Sequence, residues 1–504
     1  MLLLINLALA ILWLVVEEHA QLGGSLDIYI MVACLSCTPD AFPRTNPFPF
    51  SKPQFGSQEA LLSLHKCTNF KHLKRVYAKI IRHGLSHDQL LIRRLLSLCS
   101  SYGKMDFATL VFHQIQSPLT FTWNLMIRSY TINDCSKQAL LLFNLMISQG
   151  FPPDKFTFPF VIKACSAASA IEMGKVVHGL AIKTGFVGDL FVLNTLMDLY
   201  FKCGKVDFAC KIFEKMRVRS VVSWTTMISG LVSCDELDAA RGVFEKMPGK
   251  NVVSWTALIN GYARNQPEEA FELFWRMQLD NVRPNEFTLV SLLKACTEMG
   301  SLKLGRWIHD FALKNGFKLG IFLGTALIDM YSKCGSLEDA RKVFDKMQVK
   351  SLATWNSMIT SLGVHGCGEE AISVFTEMER GNVRPDAITF VGLLCACVQT
   401  NNLEEGQRYF KYMGEHYGIT PIPEHLICMT ELYSRAGMLD EDCKLVNAMP
   451  SEPNDNIMPA LLHSSKVYGI VNMEKFLYGK LDFSTIDANS LRQNWLQVSK
   501  WDAG

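Results

Sequence analysis

Excess charge of either sign is missing from this chain. Fifty basic and 48 acidic side chains leave a formal net charge of +2 across 504 residues. A field that weak gives no ground for non-specific attraction to nucleic acid, although local basic stripes stay open. Catalytic motifs are missing too. There is no Gly-x-x-x-x-Gly-Lys-Ser/Thr loop, no His-Glu-x-x-His and no dinucleotide-binding glycine fingerprint. A zinc deaminase needs His-x-Glu to shuttle protons and Pro-Cys-x-x-Cys to complete three metal ligands, and neither occurs. The 12 histidines are scattered. The chain is therefore read as no enzyme, with no catalytic residue, metal or cofactor assigned. No membrane association is expected: the apolar opening at 1–16 is shorter than the ~20 residues of a spanning helix.

What is present is a repeat. Val221-Val-Ser-Trp224-Thr-Thr-Met-Ile228 is followed by Val252-Val-Ser-Trp255-Thr-Ala-Leu-Ile259, with the tryptophans 31 residues apart. Val243-Phe244-Glu-Lys-Met247 and Leu273-Phe274-Trp-Arg-Met277 sit one after each. In the second copy, Trp255, Leu258, Ile259 and Tyr262 stand at i, i+3, i+4, i+7. Ala270, Leu273, Phe274 and Met277 do the same. Pro267 suits the first turn of the second helix, where its missing N–H costs nothing. Each unit is thus a hairpin of two short helices that buries its apolar face only against its neighbours, the mark of an α-solenoid. Hydrophobic residues at 49% against 19% charged provide the stacking surface.

The 16 cysteines recur at equivalent positions: Cys165 and Cys296, Cys203 and Cys334. That phase makes them small buried packing residues rather than a disulfide framework. The tryptophans and Phe/Met pairs are expected in the core. His178 and His309 share one repeat position and read as structural.

Residues 1–57 form a leader. No basic residue precedes Arg44, and Glu17 and Glu18 are acidic, which fits neither a secretory signal nor a transit peptide. The Ser/Thr/Pro-rich segment from Met31 fits a transit peptide better, so translation is expected to start there. A weak signal anchor is the rival reading. Cys34-x-x-Cys37 has no second pair and is not read as a metal site. Residues 58–119 hold two degenerate repeats. The array proper covers 120–453, in units 120–154, 155–189, 190–220, 221–251, 252–285, 286–320, 321–351, 352–386, 387–422 and 423–453. Their lengths cycle as roughly 35, 35 and 31.

These units resemble the plant pentatricopeptide repeat family, in the PLS subclass that alternates P-type, long and short repeats. Residues 454–487 resemble an eroded E motif, with Met458-Pro459 where the family has Val-Trp. Residues 488–504 resemble a second E motif that stops inside itself, and no DYW-type deaminase domain follows. The resemblance implies an all-α fold: a right-handed α-solenoid superhelix of stacked helical hairpins, with first helices lining a groove for single-stranded RNA. It implies one base per repeat. The base is read by the residue after the Tyr or Trp of the first helix together with the repeat's last residue, while neighbouring apolar residues sandwich it. Carried over, the pairs are Asn124 with Asp154 (U), Asn194 with Ser220 (a pyrimidine) and Thr225 with Asn251 (A). Thr256 with Asn285 (A), Thr325 with Ser351 (a purine) and Asn356 with Asp386 (U) complete the set. The long repeats offer Pro159 with Asp189 and Val290 with Gly320, which depart from the pattern. The implied target is U-x-Y-A-A-x-R-U.

For any single repeat, an Asn or Thr near a helix start reads equally as a cap. Six polar residues at one phase favour binding. The expected function is site recognition in organellar C-to-U editing, with a deaminase and organellar editing factors supplied in trans. The alternatives are RNA binding for transcript stability, splicing or translation, and a tetratricopeptide-like protein scaffold. The leader points to the chloroplast, with the mitochondrion as alternative.

Overall fold

The computed structural model describes residues 55–115 and 117–438. The leader through residue 54, the E-like segments at 454–487 and 488–504, and repeat 423–453 beyond residue 438 lie outside the described residues. Within them, 23 α-helices run from Ser57–His65 to Pro423–Arg435, with one 3-10 turn at Phe186–Gly188 and no strand. The chain divides into two compact units, Met1–Cys234 and Asp235–Gly504. The division falls between the two helices of repeat 221–251.

In the first unit the degenerate pair folds as two hairpins, Ser57–His65 with Phe70–Arg82 and Gln89–Ser101 with Met105–His113. The first helices Thr120–Ile132, Thr157–Ala167, Leu190–Lys202 and Val221–Ser233 each pack on the one before. In the second unit Val252–Asn265, Glu286–Glu298, Ile321–Lys333, Leu352–Val364, Ala387–Gln399 and Pro423–Arg435 continue the same way. Each unit is a solenoid of hairpins, as the periodicity requires. The period's triplet has a simple origin. Second helices of short repeats are 10 residues long (Val206–Lys215, Leu237–Lys246, Leu337–Lys346), while those of the longer repeats at 136–148, 171–183, 267–279, 302–314 and 368–380 are 13.

Core positions follow the pattern read from the doubled stretch. Trp255, Leu258, Ile259, Ala270, Leu273, Phe274 and Met277 are fully buried, and Tyr262 nearly so. Trp255 meets Phe244 edge-on with ring centroids 4.7 Å apart, and Trp224 meets Phe213, Trp355 meets Phe344 and Trp123 meets Phe112 in the same way. The Trp and the Phe of the preceding second helix thus form a repeated T-shaped pair. Pro267 opens its helix as expected.

Cys165 and Cys296 are buried, and burial pushes both thiols up to about 12. Cys203 and Cys334 do not match the buried-packing expectation: both are half-buried. They stand at the end of their first helices, followed by Gly204 (φ +66°) and Gly335 (φ +79°). Gly204 N–H donates to Phe201 O at 2.9 Å and Lys205 N–H to Tyr200 O at 2.8 Å. Gly335 and Ser336 repeat these bonds on Ser332 and Tyr331. This is the double closure of a left-handed helix stop, and it needs glycine at that φ. The Cys-Gly pair is therefore punctuation as much as packing.

His178 Nδ1 lies 2.9 Å from Tyr200 Oη, and His309 Nδ1 lies 2.9 Å from Tyr331 Oη. Each pair ties a second helix to the first helix of the following repeat, so both histidines are structural as expected. A third, His425, is fully buried. Its Nδ1 accepts from Ile422 N–H at 3.0 Å and its Nε2 donates to Ala387 O at 2.7 Å. Ion pairs between neighbouring second helices complete the outer side of the second unit: Arg241–Glu269 at 2.6 Å, Arg276–Glu245 at 2.9 Å, Arg306–Asp339 at 2.7 Å and Arg341–Glu377 at 3.1 Å. They are solvent-screened and contribute little each.

Two expectations follow. A Cβ on Gly363 would stand 2.5 Å from the carbonyl oxygen of Gly392, which is backbone and cannot swing aside. Gly363→Ala should therefore destabilise by about 2 kcal/mol through forced helix separation. Gly242→Ala, where nothing lies within 4 Å, should instead stabilise by about 0.5–1 kcal/mol. Thermal unfolding of both variants checks the pair of opposite signs.

Burial lowers the pKa of His178, His309 and His425 from the ordinary 6.5. The unfolded chain then binds more protons than the folded one below that value. Stability should be flat with respect to these groups above pH 6.5 and fall as the pH drops through the region beneath it. His178→Gln with His309→Gln should flatten the decline, as read from urea midpoints at pH 7 and pH 5.

Candidate nucleic-acid interface

The first N–H groups of every helix have no partner inside the helix. Here the last side chain of the preceding repeat supplies one. Ser220, Asn251, Asn285, Ser351 and Asp386 are the N-caps of the following first helices, each accepting from the N–H three residues on. Asp154 Oδ1 does the same work, accepting from Phe156 N–H at 2.8 Å and Thr157 N–H at 2.9 Å. The cap reading therefore holds for these six residues. It does not hold for their partners Asn124, Asn194, Thr225, Thr256, Thr325 and Asn356, which lie inside their helices.

The structure brings several of the expected pairs together. Asn124 Nδ2 donates to Asp154 Oδ1 at 2.9 Å, and Asn356 Nδ2 donates to Asp386 Oδ1 at 2.9 Å. The third residue of the next repeat joins them: Thr157 Oγ1 donates to Asn124 Oδ1 at 2.7 Å and Thr389 Oγ1 to Asn356 Oδ1 at 2.6 Å. Thr256 meets Asn285 only through Thr288, whose hydroxyl is 2.7 Å from Thr256 Oγ1 and 2.9 Å from Asn285 Oδ1. Thr325 meets Ser351 through Thr354 in the same way, at 2.8 and 3.0 Å.

Asn194 and Ser220 show no such link. Ser223 Oγ lies 3.1 Å from Ser220 Oγ, and Asn194 Oδ1 is buried with no partner. Thr225 lies in the first unit, donating to Val222 O at 3.1 Å, and Asn251 in the second, capping Val252–Asn265.

The asparagines are nearly enclosed: Asn124, Asn194 and Asn356 are 6, 8 and 7% exposed. Thr225, Thr256 and Thr325 are half-buried. A ligand would meet only one edge of each amide. In each unit, large apolar side chains stand exposed at the second position of most repeats. Phe121, Phe156, Phe191, Val222, Val253, Phe287, Phe322 and Ile388 are each about half exposed. Phe287 and Phe322 touch, with centroids 5.6 Å apart. Trp123 and Trp255 are buried and offer no exposed face, whereas these side chains do. Their signal in the sequence was an apolar residue at the second position of the repeat, followed by Ser or Thr in all but Phe191-Val192 and Phe322-Leu323.

The long repeats depart as expected. Pro159 is buried inside Thr157–Ala167, and Asp189 caps Leu190–Lys202 without a polar partner from Pro159. Gly320 has no side chain to cap Ile321–Lys333. Glu286, the first residue of that repeat, does so instead: its Oε1 accepts from Leu323 N–H at 3.1 Å. Sequence reasoning missed Glu286, although a repeat ending in Gly and opening in Glu was the available sign.

Known proteins are similar to this chain. Residues 118–167, 250–298 and 350–399 match the PPR repeat family model, and 191–221, 222–252 and 325–352 match the PPR repeat model. A chloroplastic pentatricopeptide repeat-containing protein of Arabidopsis thaliana is 61% identical over 417 residues, covering 82% of this chain and 92% of the relative. A chloroplastic/mitochondrial one from the same plant is 37% identical over 407 residues, covering 79% of this chain and 59% of the relative. The crystal structure of the maize pentatricopeptide repeat protein PPR10 superposes with a TM-score of 0.55 at 14% identity, covering 84% of this chain and 72% of that one. With its helical-hairpin solenoid, its repeat spacing and these relatives, the chain belongs to the pentatricopeptide repeat family.

Proposed function

We propose that this chain is a sequence-specific single-stranded RNA-binding protein of a plant organelle. The observation that carries the reading is the shared position of six polar residues at the N-terminal ends of the first helices, with exposed apolar side chains at the second position of most repeats. Polar edges suit the donor and acceptor groups of a base, and apolar flanks suit its faces. The pairs are Asn124 with Asp154, Asn194 with Ser220, Thr225 with Asn251, Thr256 with Asn285, Thr325 with Ser351 and Asn356 with Asp386. A near-neutral chain gains little from phosphate attraction, so base contacts carry a larger share of its affinity.

Within that role, the chain acts as a site-recognition factor for C-to-U editing, with a deaminase and other editing factors bound in trans. The PLS subclass is supported by the alternation of 10- and 13-residue second helices. The editing role rests on the E-like text at 454–487. Its compartment is the chloroplast: one relative is named chloroplastic and another chloroplastic/mitochondrial, and the leader after Met31 is rich in Ser, Thr and Pro. A fluorescent fusion starting at Met31 should label plastids, and mitochondrial label would overturn that assignment.

The direct test is binding of the purified chain to an oligomer bearing U-x-Y-A-A-x-R-U and to one with G-G in place of A-A, at one stated salt concentration. The A-A oligomer should bind more tightly by about 1–3 kcal/mol per base. Asn251→Asp and Asn285→Asp keep the helix cap and should reverse the preference. Equal binding to both oligomers would remove the base reading and leave a protein-interaction scaffold as the better account.

A further inference from the structure

The threonine at the third position of a repeat has two polar neighbours within hydrogen-bond distance of its hydroxyl. One is its own N-cap, the other the polar residue of the preceding repeat. In all four cases found within a single unit the preceding repeat is closer. Thr157 lies 2.7 Å from Asn124 Oδ1 against 3.0 Å from Asp154 Oδ1, and Thr389 lies 2.6 Å from Asn356 Oδ1 against 3.0 Å from Asp386 Oδ1. Thr288 lies 2.7 Å from Thr256 against 2.9 Å from its cap, and Thr354 lies 2.8 Å from Thr325 against 3.0 Å. A hydroxyl serving only as a cap has no reason to reach 29 to 33 residues back along the chain.

For the asparagines the consequence is a fixed amide. A carboxylate accepts only, so the group facing Asp154 or Asp386 must be the amide N–H. The carbonyl then faces the threonine hydroxyl, whose lone pair is already taken by the cap's own N–H (Asp154 at 2.9 Å, Asp386 at 3.1 Å). Donors and acceptors are matched around the amide, and flipping it would break two bonds. Asn194 is the contrast: the third residue of the next repeat is Ser223, which bonds Ser220, and the amide carbonyl is orphaned.

We propose that a threonine at the third position of a repeat is a positioning residue for the base reader of the repeat before it, fixing which edge that reader shows the RNA. This rests on the base reading proposed above. Uracil and cytosine differ by exchanging a donor and an acceptor on the same edge. An amide free to flip accommodates either, and a held amide accommodates one. Thr157 and Thr389 thus sharpen the choice of U at Asn124 and Asn356, while Asn194 is left tolerant of both pyrimidines.

The experiment measures the ratio of affinities of the full chain for oligomers with U or C at one position. Thr389→Val keeps the shape and removes the hydroxyl. It should lower the U-over-C ratio at the Asn356 base about fivefold, the size of one hydrogen bond, and leave the A-A preference of the middle repeats intact. The reverse construction adds the device where it is missing. Ser220→Asp with Ser223→Thr should prefer U over C at the Asn194 base about fivefold more than Ser220→Asp alone. This second arm stands even if Thr389→Val fails to fold, since both changes keep capping side chains. An unchanged ratio in a folded Thr389→Val protein, or equal ratios in the single and double variants, overturns the positioning role while base reading stands. A wild-type chain that does not distinguish U from C at the Asn356 base removes the base reading, and the positioning role with it.

Discussion

Every first helix in this protein opens with N–H groups that water reaches poorly once neighbouring hairpins are stacked, and the rest of the structure depends on how they are satisfied. One solution recurs along the described array: the final side chain of a repeat closes the start of the next helix. Asp154, Ser220, Asn251, Asn285, Ser351 and Asp386 all do this. Where glycine stands at that place, a carboxylate from the start of the same repeat, Glu286, takes over. The bond stabilises by only about 1 kcal/mol at each joint, yet it sets where one helix ends its turn and the next begins. Register along the stack follows from it.

The apolar contacts are built to fit this framework. Helices approach closely enough that Gly230 and Gly363 on first helices, and Gly174 and Gly305 on second helices, face neighbouring atoms where a Cβ would clash. The T-shaped Trp–Phe pairs join successive repeats on the inside, and ion pairs such as Arg276–Glu245 join them outside. No single large core exists to be nucleated. The joints are small cores, several with their own aromatic pair, cap or left-handed stop, as expected of a quasi-one-dimensional fold.

Periodicity made much of this legible. Trp255, Leu258, Ile259 and Phe274 stood at helical spacing and are buried where that spacing put them. His178 and His309 shared a phase and share a tyrosine partner. What periodicity could not reveal were bonds that cross the repeat boundary. A residue's role was assigned from its own repeat, so Asp154 was legible as half of a pair but not as the cap of its neighbour's helix. Thr157 sat in the wrong repeat to be noticed at all. Cys203 misled for a related reason: thiols are usually buried, and its neighbour Gly204 with positive φ determined its place instead. Apolar flanks were legible only as what the resemblance implied, and Phe121 and Phe322 went unnamed because exposed phenylalanine runs against the ordinary expectation for apolar side chains.

The cap-and-hydroxyl joint also bears on how such arrays change over generations. A repeat copied or exchanged as a block carries its inner polar residue and its final cap, but the hydroxyl that touches both belongs to whatever follows the seam. Grafting 120–154 ahead of a repeat that opens like 221–251, with serine in place of Thr157, would keep Asn124 and Asp154 and lose the threonine. The heritable module is therefore offset from the structural one by three residues, and a recombination point inside that short interval alters a neighbour that the exchange never touched.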